Sequence, residues 1–273
     1  MNTIAQTAVD LLEREETFVL ATIVSHSGST PRTSGTKMII TADGRGFGTI
    51  GGGLLEAGAM SRAVELIRSG RSALMPVDLS HQTVASMDMI CGGQAEVLLD
   101  CVAPTDVNRS VFRHWQQLLE QGGNGCLLTR VQIVDDSVQA VDHSLITASG
   151  VIQNELSLSD DERNQIAAAS ASASTHTLPV DGGFVVLDPA GWICRAHLFG
   201  AGHVSRPTAQ LAAQVGFWVS VADDREEYAN SDRFPDAREI RVLKSFANCL
   251  ASPAMGRDDY VVILTRGHLY DKT

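Results

Sequence analysis

The stretch ICRAHLFGAGHVSRPTAQLAAQVGFWVSVADD, residues 193–224, decides the fold of the C-terminal part of the chain. Residues 193–199 predict a strand that leads directly into the glycine-rich loop GAGHVS. Residues 204–215 then predict a helix, and residues 217–222 predict a second strand. Two further strands are predicted downstream, over residues 240–243 and 260–264. This order of elements predicts a parallel, Rossmann-like sheet.

The loop in this stretch has the residue types of a dinucleotide-binding site. Gly200 permits a tight turn, Gly202 lets a pyrophosphate approach the backbone, and the small Ser205 allows close packing of helix on strand. Asp223 follows Gly200 by about 20 residues, the spacing at which an acid accepts a hydrogen bond from a ribose hydroxyl. His203 lies in the same loop. The same residues also suit a packing loop or another anionic ligand, so the ligand stays open.

Outward from this stretch, the chain divides into three expected parts. Residues 1–103 predict an N-terminal α+β domain, and residues 104–180 predict an intermediate α/β segment with an exposed connection. Residues 181–273 contain the Rossmann-like domain, which we expect to begin with a hairpin formed by residues 184–187 and 193–199. The fold class is therefore α/β, with an α+β domain followed by a parallel sheet.

A polar loop near the N-terminus, GSTPRTSG at residues 28–35, interrupts two predicted strands. Ser29 and Thr30 supply hydroxyls, Arg32 supplies a guanidinium, and the glycines leave backbone amides accessible. These groups suit a phosphate, a carboxylate or another oxyanion. An ordinary connection with a solvent-facing Arg32 is an equally good interpretation of this loop alone.

A second glycine run, GTIGGG at residues 48–53, opens a predicted helix over about 54–69. The amides of Gly51, Gly52 and Gly53 would lie where the helix dipole favours an anion, with Glu56 in the first turn. A tight packing turn is the alternative. Two loops of this kind in one part of the chain favour a ligand site there.

Cys91 stands apart from the other four cysteines because Gly92 and Gly93 follow it. Adjacent glycines leave a sulfur accessible and free the amides to stabilise a thiolate, although a buried inert thiol fits equally well. The cysteines show no paired spacing typical of a zinc site or a disulfide framework, and the histidines show no zincin spacing.

Composition excludes several classes of protein. The net charge is −11, and the chain contains no basic run that would neutralise a phosphate backbone, so we expect no nucleic-acid partner. No apolar stretch approaches the roughly 20 residues of a membrane span, and the N-terminus carries acids instead of a secretory signal. We therefore expect a cytoplasmic protein without a membrane partner. A GxSxG elbow and a P-loop lysine are also absent from the sequence.

The motifs occur in a characteristic order: GSTPRTSG, GTIGGGLLE, CGG, FGAGHVS, VADDREEYAN and LTRGH. In this order they resemble the xanthine dehydrogenase accessory protein family, also called XdhC/CoxI. The resemblance covers residues 17–102 and 195–273. It implies a chaperone that binds the molybdenum cofactor and promotes its sulfuration together with a cysteine desulfurase. It further implies transfer of the cofactor to a molybdenum hydroxylase such as xanthine dehydrogenase.

The resemblance also implies roles for the candidate residues. The two N-terminal loops and the Rossmann loop would hold the phosphate of the pterin or of a dinucleotide form, and Cys91 would meet the soft molybdenum centre. Family members continue beyond the position of Thr273, so we expect a sheet that is truncated after its fourth strand. Such a sheet would have an exposed edge strand that a second copy could cover, and we expect a homodimer.

Two other classes of protein remain open at this point. An NAD-dependent oxidoreductase would use the Rossmann loop and Asp223, with His203 or His268 as proton donor. A purely structural adaptor between desulfurase and hydroxylase would use neither glycine loop. The sequence favours the chaperone over both.

Overall fold

The computed structural model describes residues 4–30, 32–78, 93–121, 124–147, 150, 152–170, 174–190, 194–247, 249, 255 and 259–266. The chain separates into two compact units, Met1–Gly191 and Trp192–Thr273. The helices of the first unit are α1 (Ile4–Glu13), α2 (Gly53–Ser69), α3 (Asp106–Glu120) and α4 (Asp160–Ala169).

The strands of the first unit form two antiparallel sheets of five strands each. The first sheet comprises β1 (Phe18–Ser27), β2 (Lys37–Thr41), β3 (Gly46–Gly48), β4 (Ala73–Asp78) and β5 (Gln94–Val102), in the spatial order β3-β2-β1-β5-β4. The second sheet comprises β6 (Gly125–Val134), β7 (Ser137–Thr147), β8 (Ile152–Gln153), β9 (His176–Val180) and β10 (Gly183–Ala190), in the order β8-β7-β6-β10-β9.

Strand β1 is buried on both faces, which explains its continuous apolar sequence. On one face Val19, Ala21 and Ile23 pack in a core that includes residues of α2. On the other face Phe18 and Leu20 share a core with α1, α3 and residues of the second sheet. The second sheet is covered on its outer face by α4, through a core that includes Ile166. The first unit therefore stacks helix, sheet, sheet and helix, with α1 and α3 inserted between the sheets.

The packing explains why the expected boundary between residues 103 and 104 does not separate compact units. Val24 and Leu98 of the first sheet share a core with Val131 and Val186 of the second. Residues 1–103 and 104–180 are thus parts of one unit. Within this unit, Thr105 caps α3, Ser159 forms a capping box with Glu162 at the start of α4, and Gly70 ends α2 in the left-handed conformation.

Helix α2 packs on the first sheet through Leu55, Ala59 and Ala63, which are buried. The small side chains of Ala59 and Ala63 permit a close approach of the helix to the sheet.

The second unit is a parallel, Rossmann-like sheet, as predicted. It contains β11 (Arg195–Phe199), α5 (Ser205–Gln214), β12 (Trp218–Asp223), β13 (Glu239–Val242) and β14 (Asp259–Ile263). The strands lie in the order β13-β12-β11-β14, and every pair is parallel. The strand order reverses between β11 and β14, and ligands of such sheets bind in the crevice beyond the carboxyl ends of the strands there.

The predicted hairpin of residues 184–187 and 193–199 is wrong. Strand β10 pairs with β6 and β9 in the second sheet, while β11 pairs in parallel with β12 and β14. The segment Asp188-Pro189-Ala190 continues β10 instead of turning, because Asp188 and Pro189 pair with Leu127 and Cys126 of β6. The Rossmann-like unit accordingly begins near residue 192 and not at 181.

Within the part of the chain that the structure describes, none of the helices has both the length and the apolar character that a membrane span requires.

Candidate functional site

Three of the predicted loops emerge at the same end of the first sheet. Ser27, the last residue of β1, pairs with Gln94, the first residue of β5. Gly48, the last residue of β3, pairs with Met38 near the start of β2. Because all these strands are antiparallel, the Ser29–Arg32 loop, the loop after Gly48 and Gly93 lie at one end of the sheet. The topology therefore brings together candidates that are separated by up to about 60 residues in sequence.

A cleft of about 710 Å³ opens at this end of the sheet. It is lined by the last residues of β1, by the end of β4 and by the start of β5: Ser25, His26, Ser27, Pro76, Val77, Asp78, Gln94, Ala95 and Glu96. The volume lies within the range of small-molecule sites. Its carboxylates, Asp78 and Glu96, accept hydrogen bonds and so suit a ligand with N–H donors. The sequence did not single out either residue, since neither belongs to a glycine-rich motif.

The Ser29–Arg32 loop is held at its two ends. At the start, the amide of Ser34 donates to Nδ1 of His26 over 3.2 Å, and the hydroxyl of Thr30 donates to the carbonyl of Arg32 over 2.8 Å. Ser29 and Arg32 themselves are exposed. The guanidinium of Arg32 therefore projects from a loop whose shape is set by its neighbours.

The far end of this loop is anchored to the second sheet. Lys37 Nζ forms an ion pair with Asp188 at 2.6 Å, and the hydroxyl of Thr175 donates to the same carboxylate over 2.6 Å. Gly35 has a φ of 89°, and a Cβ there would lie 2.2 Å from Thr175 Oγ1. The second glycine of GSTPRTSG is thus required by packing and is not free to approach a ligand.

The glycine run after β3 already binds an anion, which is the carboxylate of Glu56. Its Oε1 accepts hydrogen bonds from the amides of Gly52 at 2.8 Å, Ile50 at 3.1 Å and Gly51 at 3.3 Å. The hydroxyl of Thr49 donates to the same oxygen. Burial raises the pKa of Glu56, but the Thr49 and backbone hydrogen bonds outweigh it and hold the pKa below its usual value. The amides of Gly51 and Gly52 therefore have an internal partner, whereas Gly53 is exposed.

Cys91 lies outside the described residues, so its predicted role as a thiolate ligand stays a prediction. Gly93, the described residue nearest to it in sequence, packs against the Ser29 loop: a Cβ on Gly93 would lie 2.4 Å from the carbonyl oxygen of Ser27 and 2.7 Å from that of Ser29. In contrast, burial raises the pKa of the Cys101 thiol to about 11 and that of Cys126 to about 12. Both thiols are therefore protonated at neutral pH and unsuited to bind a metal.

In the Rossmann loop, Gly200 and Ser205 are explained by packing. A Cβ on Gly200, whose φ is 106°, would lie 2.3 Å from the carbonyl oxygen of Leu264 beyond β14. The buried hydroxyl of Ser205 donates to the carbonyl of Gly200. Gly202 differs, because a Cβ there would meet nothing within 4 Å. Gly202 and the exposed His203 thus face open space at the switch point, where a ligand would approach.

Asp223 is committed to contacts within the chain. It is 1% exposed, and its Oδ2 accepts a hydrogen bond from the amide of Ala201 at 2.7 Å. Arg225 donates to both carboxylate oxygens, from Nε at 2.9 Å and from Nη2 at 3.1 Å. Burial raises the pKa of Asp223, but the hydrogen bonds from Arg225 and Ala201 reverse this, and the net pKa is lowered. Asp223 therefore fixes the loop and neutralises Arg225.

Two arginines that were not among the predicted site residues border the same loop. The guanidinium of Arg225 stacks 3.8 Å from the centre of the Tyr228 ring. Arg233 lies 4.9 Å from that ring and donates from Nη2 to the carbonyl of Ala201 at 3.3 Å. Arg225 and Tyr228 belong to the sequence DDREEYAN, which begins at the end of β12. An arginine and a tyrosine among acids at this place were the signal that could have predicted the cluster. Arg233 adds a guanidinium at the border of the crevice, whereas the charge of Arg225 is balanced by Asp223.

In the described ranges, no group of three or more histidine, cysteine or carboxylate side chains could hold a metal ion. Taken together, an antiparallel two-sheet unit with a polar cleft and a Rossmann-like unit with an open glycine loop define a two-unit α/β protein. Two family models match it: the XdhC and CoxI family over residues 11–78, and the XdhC Rossmann domain over residues 197–273. The chain belongs to the XdhC and CoxI family.

Individual relatives agree with this membership. The chain is 29% identical over 267 residues to a probable xanthine dehydrogenase subunit of Bacillus subtilis, covering 96% of this chain and 76% of that protein. It is 39% identical over 69 residues to the molybdenum cofactor insertion chaperone PaoD of Escherichia coli, covering 25% of this chain and 22% of that protein.

A crystal structure of a protein from Bacillus halodurans, described as a xanthine dehydrogenase, shares the fold. The TM-score is 0.70 at 24% sequence identity, over 94% of this chain and 74% of that chain. At this identity the likeness establishes the fold alone.

Proposed function

We propose that this chain binds the molybdenum cofactor and promotes its sulfuration and its insertion into a xanthine dehydrogenase-type molybdenum hydroxylase. The observation that carries the proposal is the convergence of the Ser29–Arg32 loop, the loop after Gly48 and Gly93 at the cleft end of the first sheet. The similarity to PaoD supports the choice of cargo.

Each group at this end has a role that its chemistry supports. Arg32, with the hydroxyl of Ser29, binds the phosphate of the pterin, while the hydroxyl of Thr30 holds the loop through its bond to the carbonyl of Arg32. Asp78 and Glu96 accept hydrogen bonds from N–H groups of the pterin ring at the cleft. Cys91 supplies the thiolate that binds molybdenum. Because Glu56 already occupies the amides of Gly51 and Gly52, those two glycines and Glu56 hold the shape of the loop, and Gly53 is the residue of the run left to face a ligand.

The Rossmann crevice supplies a second anion-binding element. Gly202 leaves space for a phosphate or pyrophosphate, His203 lies beside it, and Arg233 supplies a guanidinium at the border. NAD as the ligand receives no support from the geometry. In an NAD site the acid after the second strand accepts from the ribose, whereas both oxygens of Asp223 are bonded to Ala201 or Arg225.

The partners follow from the proposed reaction. A molybdenum hydroxylase receives the cofactor, and a cysteine desulfurase supplies the terminal sulfur. Assembly as a homodimer stays a prediction.

The test is anaerobic equilibrium binding of molybdenum cofactor released from a donor enzyme, with NAD as a parallel ligand. We expect Arg32→Ala to weaken binding by roughly tenfold or more, since a charge-assisted contact to a phosphate is lost. Arg45→Ala is the matched control, because Arg45 is equally exposed but lies in the turn at the opposite end of the first sheet, beside Asp43. Cys91→Ala tests the thiolate, with Cys126→Ala as its control.

A second pair of variants tests the crevice. Gly202→Val fills space that a phosphate would need, and it should weaken binding of a dinucleotide form of the cofactor without lowering the melting temperature. Equal binding by Arg32→Ala and Arg45→Ala, or NAD binding in place of cofactor binding, would overturn the proposal. Transfer is measured by activation of cofactor-free xanthine dehydrogenase in the presence and absence of a desulfurase.

A further inference from the structure

A second pocket lies on the outer face of the second sheet, between β6, β7 and α4. Its volume is about 290 Å³. Its walls are mainly aliphatic, formed by Leu128, Ile146, Leu156, Leu158, Ile166 and Ala167. Every one of these residues lies between residues 78 and 197, outside both ranges that the family models match. The pocket is therefore a feature of this chain's central segment and not of the cleft described above.

One polar group lies within this apolar lining. Ser144 pairs directly with Leu128 across β7 and β6, so its side chain is on the same face as Leu128. Ser144 is 1% exposed, and its hydroxyl has no hydrogen-bond partner among the described residues. A buried hydroxyl without a hydrogen-bond partner is unfavourable, and such groups are usually satisfied by a bound water or ligand.

The charge at the rim is balanced. Arg163 forms an ion pair with Glu155, and its Nε donates to the carbonyl of Leu158 at 3.2 Å. These two side chains neutralise each other, so the rim offers no net charge to an ionic ligand. Asn164 adds an uncharged polar group beside them.

We propose that this pocket binds a small, uncharged, largely apolar molecule that carries one hydrogen-bonding group, and that Ser144 recognises that group. The apolar walls favour a compact ring or branched chain, and the volume accommodates a ligand about the size of one or two fused rings. The hydroxyl of Ser144 accepts from, or donates to, the single polar atom of the ligand. Such a site is suited to sense a metabolite independently of the molybdenum cofactor.

The test uses indole and benzothiophene, which have nearly the same shape but differ in one N–H donor. Binding to the whole chain is measured by calorimetry and by ligand-observed NMR. We expect saturable binding of one indole per chain, with a preference for indole over benzothiophene of about three- to tenfold, the value of one hydrogen bond between neutral groups. In Ser144→Ala the preference should disappear while benzothiophene still binds.

Ala167→Phe fills the mouth of the pocket and should abolish binding of both ligands. Ala168→Phe is its matched control, because Ala168 is the next residue of α4, is exposed and does not line the pocket. Absence of saturable binding to the wild type, equal binding by Ala167→Phe and Ala168→Phe, or an unchanged preference in Ser144→Ala would each overturn the proposal. The circular dichroism spectrum checks the fold of each variant, and Ser144→Ala decides the matter if Ala167→Phe does not fold.

Discussion

Replacement of Glu56 should reveal how much one internal carboxylate stabilises the glycine loop before α2. Glu56→Ala removes the acceptor of the Thr49 hydroxyl and of three backbone amides, of which Gly52 and Ile50 are the closest at 2.8 and 3.1 Å. The site is half-buried, so each of these two bonds is worth about 1 kcal/mol net, and the unpaired amides regain water only in part. We expect Glu56→Ala to lower the free energy of unfolding by about 2–3 kcal/mol, and Glu56→Gln, which keeps an acceptor but loses the charge, by about 1 kcal/mol.

The measurement is urea denaturation followed by circular dichroism. Glu65→Ala is the control, because Glu65 lies on the same helix and is exposed. The folded pKa of Glu56 is lowered from its usual value near 4.5, so its contribution is fully present above that pH and is lost as the pH falls through the folded pKa. The difference between wild type and Glu56→Gln should therefore shrink as the pH falls below about 4.5.

A second measurement distinguishes loss of the anion from loss of the side chain. In Glu56→Ala the freed amides form an empty anion site, so inorganic phosphate should raise the stability of this variant more than that of the wild type. A change no larger than that of Glu65→Ala, together with no selective effect of phosphate, would refute the reasoning that Glu56 occupies the loop as its anion.

Three further results are expected. Gly200→Ala should destabilise the second unit by more than about 2 kcal/mol in thermal unfolding, because its Cβ would collide with the carbonyl oxygen of Leu264. Burial lowers the pKa of His197 despite the opposing effect of Asp259, so the folded unit binds fewer protons than the unfolded chain. The melting temperature of this unit should therefore fall as the pH drops below about 6.5, and His197→Asn should make the melting temperature less dependent on pH. Lys37→Met should lower the free energy of unfolding by about 3 kcal/mol in urea, since it leaves the carboxylate of Asp188 buried without its cation; a loss below about 1 kcal/mol would contradict the ion pair.

The Rossmann-like unit was predictable because its signals are local. The order of strand, glycine loop, helix and strand lies within about 30 residues, and each element is marked by residues of its own segment. The helix ends at Thr105, Ser159 and Gly70 were predictable for the same reason, since caps depend on a few adjacent residues. Neither prediction required knowledge of distant parts of the chain.

The second sheet was not predictable from local signals. Strand β7 contains His143 and Asp142, and its buried His143 is satisfied by Asp100 of the first sheet at 2.8 Å, a contact that joins residues far apart in sequence. Likewise, the Asp188-Pro189-Ala190-Gly191 sequence favours a turn, but pairing with β6 keeps its first three residues extended.

The internal partners of individual candidate residues could not be predicted for a related reason. Glycine loops and acids show what they are able to bind, but not whether the chain itself already binds there. Glu56 and Asp223 both have internal partners, and the types and spacing of the residues are the same in either case.

The Lys37–Asp188 ion pair has a consequence for the order in which the protein is made. Its partners are 151 residues apart, and the strands that place the Ser29–Arg32 loop, β1 and β5, are also distant in sequence. During synthesis on the ribosome, the first sheet acquires its central pairing only after Val102 has emerged, and the loop is anchored only after Asp188 has followed. A nascent chain that carries only the first hundred residues would thus display the loop before it is fixed. Ligand binding at this edge should therefore begin late, once nearly the whole first unit has left the ribosome.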